Sequence, residues 1–189
     1  MKRVFALLAL GLFGTFSFAQ SLGNYTFTYG VNTYTPISSG VLLGNESSDS
    51  QRFVDPAVPL GGSATTGPGF DIGFNFYFNG REYDRVGICA DGWISLGQSW
   101  EPTPLNMGGN TTTPLGYTTT VSPAWLLSRI AALAASLSAQ TGASLRIETI
   151  GAAPYRQLVV QWANYRKYNN SGDSFSFQIR LEETTNKVI

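Results

Sequence analysis

The sequence predicts an all-β protein: an antiparallel β-sandwich, jelly-roll-like, with long loops and at most one or two short helices. Three observations carry that expectation. The dominant hydrophobic period is two, with one apolar and one wettable face in each run, as antiparallel sheets packed on one side require. Asn79-Gly80 and Asp91-Gly92 supply hairpin-turn chemistry between such runs. Long Gly-, Ser-, Thr- and Pro-rich stretches separate them.

Residues 1–19 read as an export signal. Lys2 and Arg3 form the positive start, residues 4–13 the apolar stretch, and Ser17-Phe18-Ala19 the cleavage site, leaving Gln20 first in the mature chain. The apolar run is shorter than the roughly 20 residues a bilayer span needs, and no later run approaches that length. Residues 20–189 then form a single β-sandwich domain in a protein that is secreted or held at the cell surface. A domain of this size buries about two-thirds of its unfolded surface, enough for a core without covalent staples. Without Lys2 and Arg3, ten Lys and Arg face 12 Asp and Glu, a net charge of −2. The lack of a basic patch argues against nucleic acid and anionic membranes as partners.

The strands follow in order. Tyr25, Phe27 and Tyr29 alternate with Thr26 and Thr28 and predict a first strand. Phe70, Ile72, Phe74, Phe76 and Phe78 share one face of a second, opposite Asp71, Gly73, Asn75 and Tyr77. The Asn79-Gly80 turn leads to a strand over 83–90, and Asp91-Gly92 to one over 93–96, a meander. Residues 157–162 are more uniformly apolar and read as a central strand, and 174–182 alternate again. Residues 184–187 carry turn residues, and Val188-Ile189 begin another apolar strand that should pair with 174–182. An unfinished strand at a sheet edge predicts a domain that is C-terminally incomplete and prone to edge-to-edge association. The loops are 44–69 and 97–123.

One segment departs from the β reading. Ser122-Pro123 resembles a helix start, Gly142 a helix stop, and Leu126, Ile130, Leu133 and Leu137 recur at helical spacing, which predicts a helix over 124–139.

Few chemistries are available. The chain has no histidine, which removes Ser-His-Asp and Cys-His triads and His-based zinc sites together. Cys89 is the single cysteine and sits among Val86, Ile88 and Ala90, as a buried, inert thiol would. Glu182-Glu183 lie at a strand end beside a turn, the place of a solvated pair rather than of a glycosidase dyad. Asp49 and Asp55, with Glu46, share a polar loop but lack the ligand spacing of a calcium loop. The glycines of Gly61-Gly62, Gly67-Pro-Gly69 and Gly108-Gly109 have no lysine or helix to make a phosphate cradle. No catalytic, cofactor or metal residue is assigned, and no cofactor is expected. Aromatic rings are the one functional hint: Trp100 and Tyr117 in a long loop, and Tyr165 and Tyr168 around Arg166-Lys167 ahead of Asn169-Asn-Ser-Gly172. Flat exposed rings beside amide side chains stack on sugars. The preferred reading is that these rings cover the ends of the sandwich.

Two stretches carry a resemblance. Ile72-Gly-Phe-Asn-Phe-Tyr-Phe-Asn-Gly80, Tyr83 and Ala90-Asp-Gly-Trp-Ile-Ser-Leu-Gly97 resemble the paired strands of nidogen-like extracellular β domains. Gly151-Ala-Ala-Pro-Tyr-Arg156, Val159-Val-Gln-Trp-Ala-Asn164 and Phe175-Ser-Phe-Gln-Ile-Arg-Leu-Glu-Glu-Thr-Thr-Asn186 are similar to the segment that follows in secreted surface proteins of Bacteroidetes-type bacteria. The resemblance covers most of 25–189. It implies a module without catalytic residues, often placed ahead of fibronectin type III modules and a type IX sorting domain. The implied partners are other domains of the same polypeptide, with extracellular glycans or surface proteins beyond them. One departure stands out: Ile130-Ala-Ala-Leu-Ala-Ala-Ser136 lacks the acidic residues of many relatives, which argues against any cation site those acids make. Against the helical reading of 124–139, the resemblance implies an extended crossing over 130–137 behind at most a short helix near 123–129. The function expected is a non-catalytic extracellular module in surface architecture or adhesion. The alternative is a carbohydrate-binding module attached to a downstream enzyme.

Overall fold

The computed structural model describes residues 25–31, 33–44, 49–60, 62, 64–109, 111–115, 128–133 and 135–189. The export signal and Tyr117 lie outside them, as does residues 123–127, the start of the expected helix. Eleven strands are present among the described residues: β1 (Val41–Gly44), β2 (Arg52–Phe53), β3 (Thr66–Gly67), β4 (Phe70–Phe78), β5 (Arg81–Cys89), β6 (Trp93–Gly97), β7 (Leu105–Asn106), β8 (Arg129–Ala131), β9 (Leu137–Ile150), β10 (Gln157–Lys167) and β11 (Phe175–Glu182). A four-stranded sheet runs β1-β9-β10-β11. In the five-stranded sheet β5 is central, with β6 and then β8 on one side. On its other side β4 pairs with residues 81–86 and β2 with Ile88 and Cys89. All pairings are antiparallel, and β3 and β7 form a separate ribbon. The all-β sandwich read from the periodicity is what the chain forms.

The two sheets share one core. Ile72, Phe76, Val86, Ile88 and Ile94 face Leu145, Ile147, Leu158, Val160, Trp162, Ile179 and Leu181. β4 shows why: each of its five apolar residues is buried and each residue between them is exposed. A smaller cluster of Val54, Cys89, Trp93, Leu105 and Met107 lies under the β3–β7 ribbon. Both long loops therefore hold short strands, which two-residue pairings leave no periodic trace of in the sequence.

The turns divide. Asn79 (φ 50°) and Gly80 (φ 75°) are both left-handed, as a type I′ turn requires. At Asp91-Gly92 only Gly92 is (φ 85°). Cys89 pairs with Trp93 and the Gly92 N–H donates to the Cys89 carbonyl, so this is a three-residue loop in which the glycine forms a bulge. That geometry turns Asp91 inward, where its carboxylate accepts the Leu137 N–H at 2.8 Å.

Three expectations are corrected. Residues 25–31 form no strand: Tyr25 packs on Phe78 and its hydroxyl accepts the Asn79 N–H, but Phe27 and Tyr29 point into solvent. Alternation says which side of a strand would be buried, not that a neighbour exists. The helical reading of 124–139 fails over its described part, because Arg129–Ala131 pairs with β6 and β9 begins at Leu137. Of the apolar residues that recur at helical spacing, Ile130 lies in β8, Leu133 in the connection after it and Leu137 at the start of β9, while Leu126 lies outside the described residues. Gly142 is no helix stop either; it sits inside β9 at φ 78°.

Further along, residues 34–39 cross the outer face of the four-stranded sheet. Gln161 holds Ile37 through both its backbone N–H and carbonyl, and Gln178 and Arg180 donate to the Thr35 carbonyl. At the other end of the chain the expected hairpin forms: Thr184 and Asn186 adopt positive φ, and Ile189 exchanges two backbone hydrogen bonds with Arg180.

Candidate functional site

Four aromatic residues were the sequence's candidates for ligand contact, and the fold separates them. Trp100 is 54% exposed and Tyr168 51%. Tyr117 lies outside the described residues. Tyr165 is 0% exposed and belongs to the core, which corrects its placement on a binding surface. The cause is a bulge in β10. Leu158, Val160 and Trp162 point inward, the register shifts between Trp162 and Tyr165 around Asn164 (φ 57°), and the inward set moves to odd positions.

The two exposed rings do not share a surface. Beside Trp100, Ser99 and Gln98 are held by the Asp84 carboxylate and the Glu82 carbonyl. The Tyr168 N–H donates instead to the Ser136 carbonyl, one residue from the Leu137 that binds Asp91. Asp84 and Asp91 are separated by most of the length of β5, roughly 20 Å of strand. Trp100 and Tyr168 therefore mark opposite ends of the sandwich.

At the Tyr168 end the β10 bulge opens a polar groove of about 570 Å³, lined by Ala139, Gln140, Thr141, Asn164 and Arg166. Asn164 donates to the Thr141 carbonyl at 2.7 Å and accepts from the Ser174 hydroxyl at 2.7 Å. Gln140 donates to the Asp173 carbonyl and Arg166 to the Asn170 carbonyl, which ties the groove to the loop after Tyr168. Arg166 Nε is buried with no partner among the described residues. The amide groups of Gln140 and Asn164 and the Arg166 guanidinium are donors of the kind that bind hydroxyl-rich ligands.

A second constellation left no sequence signal. Arg129 is only 5% exposed; its guanidinium lies 4.6 Å from the centre of the Trp93 ring and donates to the carbonyls of Pro114 and Gly108. Arg52 donates to the Gly109 carbonyl, and Trp93 Nε1 to that of Thr111. Burial, with Arg52 nearby, pushes the Arg129 pKa down. These side chains clamp the loop over 108–114, and because their acceptors are backbone carbonyls no residue pattern announces them.

The acidic residues are engaged structurally. Asp55 accepts the Ala57 N–H, Glu182 the Gln157 amide, and Glu183 the Arg156 guanidinium. Among the described residues no three Asp, Glu or Cys side chains converge as a metal site would need. Cys89 is fully buried and burial pushes its thiol up to about 12, so it is not a nucleophile at neutral pH.

Fold and surface together define an all-β module of two packed antiparallel sheets. The family model described as NIDO related matches residues 24–189, and the chain belongs to that nidogen-related family, which is typical of extracellular proteins. No curated protein and no solved structure shows a significant match.

Proposed function

We propose that this chain is a non-catalytic module of a larger exported surface protein of the Bacteroidetes type, acting in surface architecture or adhesion. The observation that carries the reading is the family match across residues 24–189, essentially the whole domain. The features of residues 1–19 support export, and the absence of any histidine supports a role without histidine-based catalysis. The direct test labels intact cells of the source organism with an antibody to residues 20–189 and compares the adhesion of wild-type cells with a strain deleted for this domain. Surface labelling with reduced adhesion is expected. Antibody access only after lysis would overturn the reading, and surface labelling with unchanged adhesion would reduce it to surface architecture.

The second reading is a carbohydrate-binding module, and the polar groove lined by Gln140, Thr141, Asn164 and Arg166 favours it. A glycan array separates the two. Binding that Tyr168→Ala abolishes and Trp100→Ala leaves intact would put the sugar at the groove, whereas no binding would leave the architectural role.

A further inference from the structure

The pairing of β9 with β10 breaks at one place. Ala163 pairs with Ser144 and Tyr165 with Ala139, so residues 140–143 of β9 face the single residue Asn164 of β10. A bulge ordinarily sets two residues against one. This wider one places two left-handed residues, Gly142 (φ 78°) and Asn164 (φ 57°), inside a sheet. Asn164 holds it open: its amide donates to the Thr141 carbonyl at 2.7 Å, its side-chain oxygen accepts the Ser174 hydroxyl at 2.7 Å, and its backbone N–H donates to Ser176 Oγ at 3.0 Å. Strained backbone that side-chain bonds maintain is a mark of binding sites, where it re-aims side chains. Here it shapes the groove of about 570 Å³, a volume within the roughly 300–1,000 Å³ of small-ligand sites.

The polar groups of this groove are unequally spent. Asn164 is engaged at both ends of its amide, and the Gln140 amide nitrogen donates to the Asp173 carbonyl at 3.1 Å. Gln140 Oε1 and the Thr141 hydroxyl meet none of the described residues. Arg166 donates through Nη1 to the Asn170 carbonyl at 3.2 Å, but Nη2 and Nε have no acceptor among the described residues. No described Asp or Glu lies within ion-pair distance of it, and the Asp173 carboxylate is taken by the Asn170 amide. A ligand that satisfies these groups brings an anion for Arg166 and hydroxyls for Gln140 and Thr141.

We propose that this groove takes a carboxylate-bearing sugar, a hexuronate unit of an acidic polysaccharide. Arg166 meets the carboxylate, and Gln140 Oε1 and the Thr141 hydroxyl meet the ring hydroxyls. The proposal deepens the carbohydrate-binding reading and rests on it. A guanidinium and a carboxylate make a charge-assisted contact about twice as strong as a neutral hydrogen bond, so the charge sets the preference. A neutral sugar would leave the Arg166 charge unmatched, and an inorganic anion would bring no hydroxyls for Gln140 Oε1. With 12 basic and 12 acidic residues the chain attracts no polyanion in general, so the preference is local to the groove.

Titration calorimetry of the purified protein tests this with galacturonan and alginate oligomers. The comparisons are methyl-esterified galacturonan, neutral galactan oligomers and polyglutamate. One of the two acidic glycans should bind, and the comparison ligands should bind about tenfold or more weakly, as expected for the loss of one charge-assisted contact. Arg166→Gln should lose the same factor. So should Thr141→Asp, which sets a carboxylate at an exposed position of the groove. Both variants should keep the wild-type circular dichroism spectrum. Equal binding of neutral or esterified glycans, or acidic-glycan binding indifferent to both substitutions, would overturn the proposal and leave the sugar reading standing. Polyglutamate bound as well as the glycans would overturn it in favour of an acidic peptide. Binding of no glycan at all would overturn both this proposal and the sugar reading beneath it.

Discussion

Tyr165 shows how much one inserted residue decides. Its ring fills the core where the β10 bulge turns it inward, yet its hydroxyl is buried with no hydrogen-bond partner. Burial, with Cys89, Asp91 and Asp49 nearby, pushes the phenol well above its usual range, so the group is neutral and carries an unspent donor. A buried polar group left unpaired costs about 1–3 kcal/mol. Tyr165→Phe should therefore raise stability by about 1 kcal/mol in urea denaturation, while Tyr165→Ala should cost about 3–5 kcal/mol through the cavity it leaves. A loss of stability in the phenylalanine variant would mean that a buried water completes the hydroxyl. From sequence, Tyr165 and Tyr168 looked equivalent, flanking the same basic pair. The bulge that separates them depends on Asn164 adopting a left-handed conformation, and asparagine in a strand does not announce that.

Among the elements, legibility followed whether a pattern carried its own partner. The β4–β5 hairpin was readable because the alternating phenylalanines and the Asn79-Gly80 turn place both strands at once. Residues 25–29 alternate just as cleanly, but their neighbour is not encoded nearby, and they form no strand. The three-residue loop at Asp91-Gly92 allows a sharper test. A Cβ on Gly92 would lie 2.8 Å from the Leu133 carbonyl oxygen, and its φ of 85° is already hostile to a side chain. Gly80 has a similar φ of 75° but sits at an exposed tip. Gly80→Ala should cost about 1–2 kcal/mol from backbone strain alone. Gly92→Ala should cost clearly more, since the β8–β9 connection must also shift. Thermal unfolding of the two variants side by side checks the order, and equal losses would mean that the connection gives way freely.

Across the whole molecule, the sheets are joined by polar contacts that link residues far apart in sequence. Trp162 donates to the Cys89 carbonyl, Thr149 to that of Ile72, and Arg156 reaches the Gly73 carbonyl while its guanidinium lies over Phe74. Such links join positions up to 83 residues apart, so neither periodicity nor motif reveals them. Glu183 aligns the last of them: it accepts from Arg156 Nε at 2.8 Å and Nη2 at 2.5 Å. These bonds hold the Glu183 carboxyl below its ordinary value of 4.5. A carboxyl whose folded pKa is depressed contributes stability that is fully present above its unfolded pKa and lost as pH falls through the folded one. Glu183→Gln should therefore unfold at lower temperature than the wild type at neutral pH. The gap between the two should close progressively below about pH 4.5, where the wild-type carboxyl also becomes neutral. Melting curves of both proteins from neutral to acidic pH measure it. A gap that stays constant would assign the Arg156 contact to hydrogen bonding alone, whereas a closing gap makes the ion pair an acid-sensitive support for the Arg156 link to the Gly73 carbonyl of the other sheet.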